Sequence, residues 1–307
     1  MTSEANPTLV GRIPILGRFG LWIWRNPLIA PALLVVIVVT QAPFILTVIY
    51  SLFRWNLQRP ENTAFNAFGN YVDIVRDTRF LDSVVTSLTF TVGAVLLSLL
   101  VGLIYALLVH DRFFGRGIVR TLLITPFLIM PIIGALAWKY TVLSPIFGVV
   151  NWIVRQFGAV PIDWIGMYPV ASVVAVLVWR WAPFMMIIIL AGLQALDDDQ
   201  REAARMDGAG PLSEIRFVVL PHLKKYLQLS ALLGSIFIVN EFDVIFMLTQ
   251  GGPGTATTNV PFLIYQSVFY SFDIGHAAAM AVVTVLGTIV IVTYLLKLLG
   301  SLMGDLD

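Results

Sequence analysis

The chain has 307 residues, 58% hydrophobic and 12% charged, and its mean hydropathy of +0.88 is too apolar for a soluble globule of this size. A formal net charge of +1 excludes the strong positive field of a nucleic-acid binder. The absence of cysteine excludes disulfides, thiolate metal sites and thiol nucleophiles, and the scattered His110, His222 and His276 form no metal-binding pair.

Six stretches, near 28–53, 84–109, 118–141, 168–193, 226–249 and 276–299, are long enough to cross about 30 Å of hydrocarbon with roughly 20 helical residues each. They predict an all-α integral membrane protein with a tail at 1–27, a six-helix domain over 28–299 and a second tail at 300–307. The first stretch outruns the apolar core of a signal peptide and is expected to be retained. With the N-terminus inside, the cytoplasmic segments hold 12 Lys and Arg, including Arg12, Arg18, Arg25 and Arg112, against 5 in the outer loops (Arg54, Arg59, Arg76, Arg79 and Arg155). The positive-inside rule therefore predicts both termini in the cytoplasm.

The outer loops 54–83 and 142–167 carry turn residues, with Trp152 and Trp164 as interfacial anchors in the second, and are expected to form short structured caps. Within the spans, Pro126, Pro131 and Pro183 imply kinks that free backbone carbonyls, which is tolerable where they line a cavity. Arg180 in the fourth span and Glu241 and Asp243 in the fifth are each costly near a membrane centre, by about 2.5–3.5 kcal/mol on insertion scales, so they should face protein or water. Two readings stay open. Arg180 pairs with Glu241 or Asp243 only to fix helix packing, or these groups line a polar cavity that takes substrate. Asn240 and Asp243, three apart, are expected on one helix face where they could meet hydroxyl groups, with Trp179, Trp181 and Phe184 supplying flat apolar surfaces for sugar rings.

Between the fourth and fifth spans, the segment 194–225 is far longer than a helical hairpin needs. Asp199 followed by Glu202 reads as a capping box opening a short helix that Asp207-Gly208 ends, with Gly208 free to take positive φ. Pro211 suits the first turn of a second helix running to about Val219, and Pro221 is expected to break it. Two short helices at an angle make a protruding knob whose small residues let another surface approach. The loop Gly251-Gly252-Pro253-Gly254 lacks the Lys-Ser/Thr of a phosphate-binding loop, and GxxxxGK[ST] occurs nowhere. Any ATPase must be another polypeptide.

Glu202, Ala203, Ala204, Asp207, Gly208, Ala209, Leu220 and Pro221, at their intervals here, resemble the EAA loop by which membrane subunits of binding-protein-dependent ABC importers dock on their ATPases. Ile215 departs from it, standing where the family often has Phe. The run Leu248 to Thr255, then Asn259, Pro261, Tyr265 and Phe272-Asp273-Ile274-Gly275, is similar to the carbohydrate branch, to permeases of the maltose-transporter type and, closer still, those for sorbitol and mannitol. The resemblance implies a type I ABC importer permease fold with a cytoplasmic EAA coupling-helix loop, in a bacterial inner membrane. It implies a substrate site near Phe127, Trp179, Arg180, Phe184, Asn240 and Glu241, where Arg180 and Glu241 replace uncharged residues of the maltose type. It further implies a non-catalytic subunit binding no cofactor, a second homologous permease, two ATPase chains that use ATP and magnesium, and an extracytoplasmic binding protein.

A sugar or sugar alcohol is the expected cargo, with glycerol phosphate or a disaccharide as alternatives. Acids near the pocket disfavour a phosphorylated ligand, whereas Arg180 favours one. A proton-coupled secondary transporter using Glu241 or Asp243 is the rival from another class, but it leaves the knob without a task. A membrane enzyme would need a nucleophile, base or metal constellation that the sequence does not offer.

Overall fold

The computed structural model describes residues 30–111 and 113–303; the tail 1–27, the start of the first span, Arg112 and residues 304–307 lie outside the described residues. In chain order the helices are α1 (Ala30–Ser51), α2 (Gly69–Arg76), α3 (Thr78–Leu108), α4 (Arg116–Leu128), α5 (Pro131–Ala137), α6 (Val149–Gln156), α7 (Trp164–Met167), α8 (Pro169–Gln194), α9 (Asp198–Met206), α10 (Pro211–Glu214), α11 (Leu220–Ile238), α12 (Asp243–Leu248), α13 (Val260–Phe269) and α14 (Ile274–Met303). Among the described residues α1, α3, α8 and α14 are each long and apolar enough to cross a membrane unbroken.

The expected third and fifth spans are not continuous. The third is a pair, α4 and the arm Pro131–Val142, bent by 101°. Met130, the residue before Pro131, is extended (φ −53°, ψ 132°), as the proline ring demands of its predecessor, and Pro131 then opens α5 at a position needing no N–H. Pro126 and Pro183, by contrast, lie inside α4 and α8, which run on through them. The fifth is split between α11 and α12, with Val239 to Phe242 outside both helices.

The centre of the protein is α3 packed along α8, with α11 laid against both. Gly102 permits the approach: a Cβ there would stand 2.8 Å from Met185 Cβ and 2.9 Å from the Ala182 carbonyl oxygen. With no hydrophobic drive between helices in lipid, such backbone proximity is what holds them. One buried cluster (Phe90, Val173, Leu177, Trp181, Ile245 and Phe262) fills the half away from the knob, and a second (Ala106, Met185, Ile189, Leu193, Val219 and Leu223) reaches to it.

The loops 54–83 and 142–167 form caps, as their turn residues predict. Strand β1 (Phe53–Arg54) pairs antiparallel with β2 (Ala64–Phe65), and buried Asn70 donates from Nδ2 to the carbonyls of Ser51 and Phe53. The same loop bonds to the turn before α14 through Leu57 N–H to the Phe272 carbonyl, and through the Ile274 and Gly275 N–H groups to the Trp55 carbonyl. In the second cap, fully buried Asn151 donates to the Ser144 and Ile162 carbonyls.

Candidate functional site

The two interrupted spans meet. α12 packs on α5 and also touches α8. α11 stops at Ile238 without Gly or Pro, and side-chain amides serve the carbonyls at the break: that of Asn259 donates to the Glu241 carbonyl, and that of Asn240 turns back to the Ile236 carbonyl. Asn240 and Asp243 therefore do not share a helix face as expected, because Asn240 lies in the break and Asp243 opens α12. Asn240 is exposed and Asp243 half-buried.

Glu241 is 6% exposed, and Arg180 Nη1 reaches both of its carboxylate oxygens, at 3.0 and 2.9 Å. Arg180 thus pairs with Glu241, not Asp243. The pair is desolvated on both sides, so its attraction mainly offsets the cost of burying it, and loss of either partner leaves an uncompensated charge. The Arg180 guanidinium also lies 5.3 Å from the Trp181 ring centroid. Around Trp181 gather Phe127 at 5.7 Å, Phe184 at 5.7 Å and Phe237, stacked at 5.5 Å with 13° between planes. Trp179 turns the other way, edge-on to Trp138 at 5.8 Å and against Gly134 of α5. Phe237 is absent from the expected set. Its signal is its position one turn before Glu241.

The knob bends where the sequence places the bend. Gly208 has φ +86° with nothing within 4 Å of a built Cβ, and Pro211 opens α10. The cap of α9 is Asp197, whose carboxylate accepts from Asp199 N–H at 3.1 Å, and not Asp199. Nor does Pro221 break the helix: a π-helical turn, Ile215–Val219, joins α10 to α11, and the wider turn takes up the missing N–H at the proline.

Glu214, 5% exposed, ties the two short helices together. Arg201 Nε donates to its Oε1 at 2.6 Å and Arg205 Nε to its Oε2 at 2.8 Å. The Arg205 hydrogen bond most of all, with that of Arg201, holds the Glu214 carboxyl below the usual carboxylate range against the opposing effect of burial. Glu202, Ala203, Asp207, Gly208 and Pro221 are exposed, and Ala204, Ala209 and Leu220 half-buried. Met206, Leu212 and Phe217 project beside them, 88%, 79% and 69% exposed. An apolar tip on a charged loop has the composition of an interface core.

Residues 94–303 match the model of the family described as the binding-protein-dependent transport system inner membrane component. The chain belongs to that family. It is a non-catalytic permease subunit of an ABC importer, in the inner membrane, with the ATPase on separate chains. It is 37% identical over 253 residues to a probable ABC transporter permease protein of Sinorhizobium fredii, covering 82% of each chain. It is 34% identical over 261 residues to the trehalose/maltose transport system permease protein MalF of Thermococcus litoralis, covering 84% of this chain and 87% of that one. Its fold matches a chain of a bacterial ABC transporter involved in the import of the acidic polysaccharide alginate, with a TM-score of 0.77 at 20% identity, covering 92% and 99% of the two chains.

Proposed function

We propose that this permease carries a neutral sugar of disaccharide size, delivered by an extracytoplasmic binding protein and moved inward by ATP-driven alternating access. The observation that carries the reading is the interruption of the fifth span beside an aromatic cluster, with Arg180 and Glu241 cancelling each other's charge there. A site with no net charge from that pair and with flat rings suits a polyhydroxylated neutral ligand better than a phosphorylated one. Phe127, Phe184, Phe237 and Asn240 contact the sugar, Arg180 and Glu241 orient its hydroxyls, Asp243 stands at the start of α12, and Trp179 supports the wall from behind. The trehalose/maltose relative supports the disaccharide class over sorbitol or mannitol.

In the same reading Glu202, Ala203, Ala204, Asp207, Gly208, Ala209, Leu220 and Pro221 form the surface that an ATPase grips, with Met206, Leu212 and Phe217 filling its groove. A second homologous permease and a pair of ATPase chains complete the assembly, and both termini face the cytoplasm. The test is uptake into proteoliposomes holding the full complex, with ATP inside and the proton gradient collapsed, offered labelled trehalose, maltose, sorbitol and glycerol 3-phosphate in turn. Disaccharide uptake that needs ATP and the binding protein is expected. Uptake of sorbitol alone moves the cargo to the polyol class, and uptake without ATP refutes the mechanism.

A further inference from the structure

Lys139 is a cation within the expected third span that neither the knob nor the substrate reading uses. It sits in the π-helical turn Trp138–Val142 that ends the α5 arm, a local widening that often marks a functional position. A lysine at such a place has a cheap alternative: its long stem lets the ammonium reach the aqueous boundary. Here the ammonium instead turns onto α12, donating from Nζ to the Met247 carbonyl at 3.1 Å, with the Tyr140 ring 5.9 Å away.

The acceptor explains the choice. α12 has six residues, so few of its carbonyls have partners within the helix, and its last turn carries the negative end of the helix dipole. The N–H groups of Thr249 and Gln250 and the Thr249 hydroxyl all bond to Ile245, and Lys139 takes Met247. At the other end, Arg180 from α8 grips Glu241 just before α12 begins. The short helix is thus held by cations from different elements, one on the central α8 and one on the bent arm of the third span.

We propose that Lys139 is a positioning residue that ties the α5 arm of the third span to α12 of the fifth beside the proposed substrate site, so that the two move together in the transport cycle. This rests on the ATP-driven reading above. Without the tether, α12 shifts independently of α5, and ATP hydrolysis uncouples from arrival of the binding protein.

The experiment uses the complete complex in nanodiscs, comparing ATP hydrolysis with and without maltose-loaded binding protein. Lys139→Met, which keeps the stem and removes the donor, is expected to raise unstimulated hydrolysis several-fold and to shrink the stimulation, whereas Lys139→Arg restores both. A merely structural role would lower the yield of complex and depress both rates together. A Lys139→Met complex with wild-type basal rate and stimulation overturns the proposal. As the chain has no native cysteine, a Lys139→Cys, Met247→Cys pair bridged by a short bis-maleimide supplies an independent arm. Arms that travel together keep most of their stimulated rate when bridged, and arrest on bridging overturns the proposal even if Lys139→Met fails to assemble. A wild-type complex that does not respond to the binding protein removes the functional reading and the proposal with it; a responsive wild type with an unaltered Lys139→Met removes the proposal alone.

Discussion

Two glutamates, Glu214 in the knob and Glu241 in the membrane, are almost equally buried and each is gripped by arginine, yet they do different jobs. Glu214 holds two arginines, one of them, Arg205, 57% exposed on its side chain and also attracted by Asp111 and Glu202, so the cluster is open to screening by salt. Glu241 holds one arginine whose side chain is 16% exposed, and together they are neutral. The first arrangement staples two short helices at a surface that water and salt reach. The second removes charge from a place where charge is expensive. Burial of the acid alone does not distinguish a staple from a neutralised intramembrane pair; the number and exposure of the bases do.

The comparison breaks most sharply at Arg180. Arg180→Ala leaves Glu241 buried and unpaired and is expected to cost about 3–5 kcal/mol, read as a large fall in the melting temperature of the purified permease and loss of assembled complex. The double variant Arg180→Met, Glu241→Leu is expected to recover most of that stability while sugar uptake stays low. Full uptake by the double variant would show the pair to be packing only. Next comes Gly208→Val, which forces a β-branched residue to φ +86° at a strain of about 1–3 kcal/mol confined to the knob. Membrane insertion is expected to be normal, with ATPase co-purification and uptake abolished; uptake by this variant would refute the coupling assignment.

The smallest effect is at Glu214, where the exposure of Arg205 leaves its ion pair to solvent screening. Its pKa is lowered on folding, so the staple's contribution is fully present above the ordinary carboxylate range and is lost as the pH falls through the lowered pKa. Amide exchange in α9 and α10 should accelerate only on that acid side, and Glu214→Gln should flatten the profile. An unchanged profile in Glu214→Gln would mean that Arg201 and Arg205 act through other partners.

The parts of this structure that a reader of the sequence could find are those decided locally. The bend at Gly208 and the helix start at Pro211 follow from backbone restrictions of single residues, and the continuous spans follow from apolar length. The break at 239–242 is invisible to such rules, since it contains neither Gly nor Pro. What accompanies it is distant in sequence: Asn259, eighteen residues later, serves the Glu241 carbonyl in the break, and Arg180, sixty-one residues earlier, pairs with the Glu241 carboxylate. The same reason hid Glu214, which acquires meaning only once α9 and α10 fold against each other. Pro221 shows the converse, a strong local breaker overruled by a π-helical turn just upstream.

The Asn259 amide on the Glu241 carbonyl has a consequence for how the chain can change length. The bond runs from the far side of the Gly251–Gly254 turn to the break, and that turn is itself laced by Thr257, whose hydroxyl lies 2.8 Å from Thr249 Oγ1 and 2.9 Å from the Gly252 carbonyl. Residues 249–259 therefore act as a ruler with one end at the break in the fifth span. One inserted residue displaces its mark by up to about 3.5 Å, more than a hydrogen bond spans, and orphans a carbonyl in the interior. Loops ordinarily absorb insertions and deletions, but this one is held to a fixed count.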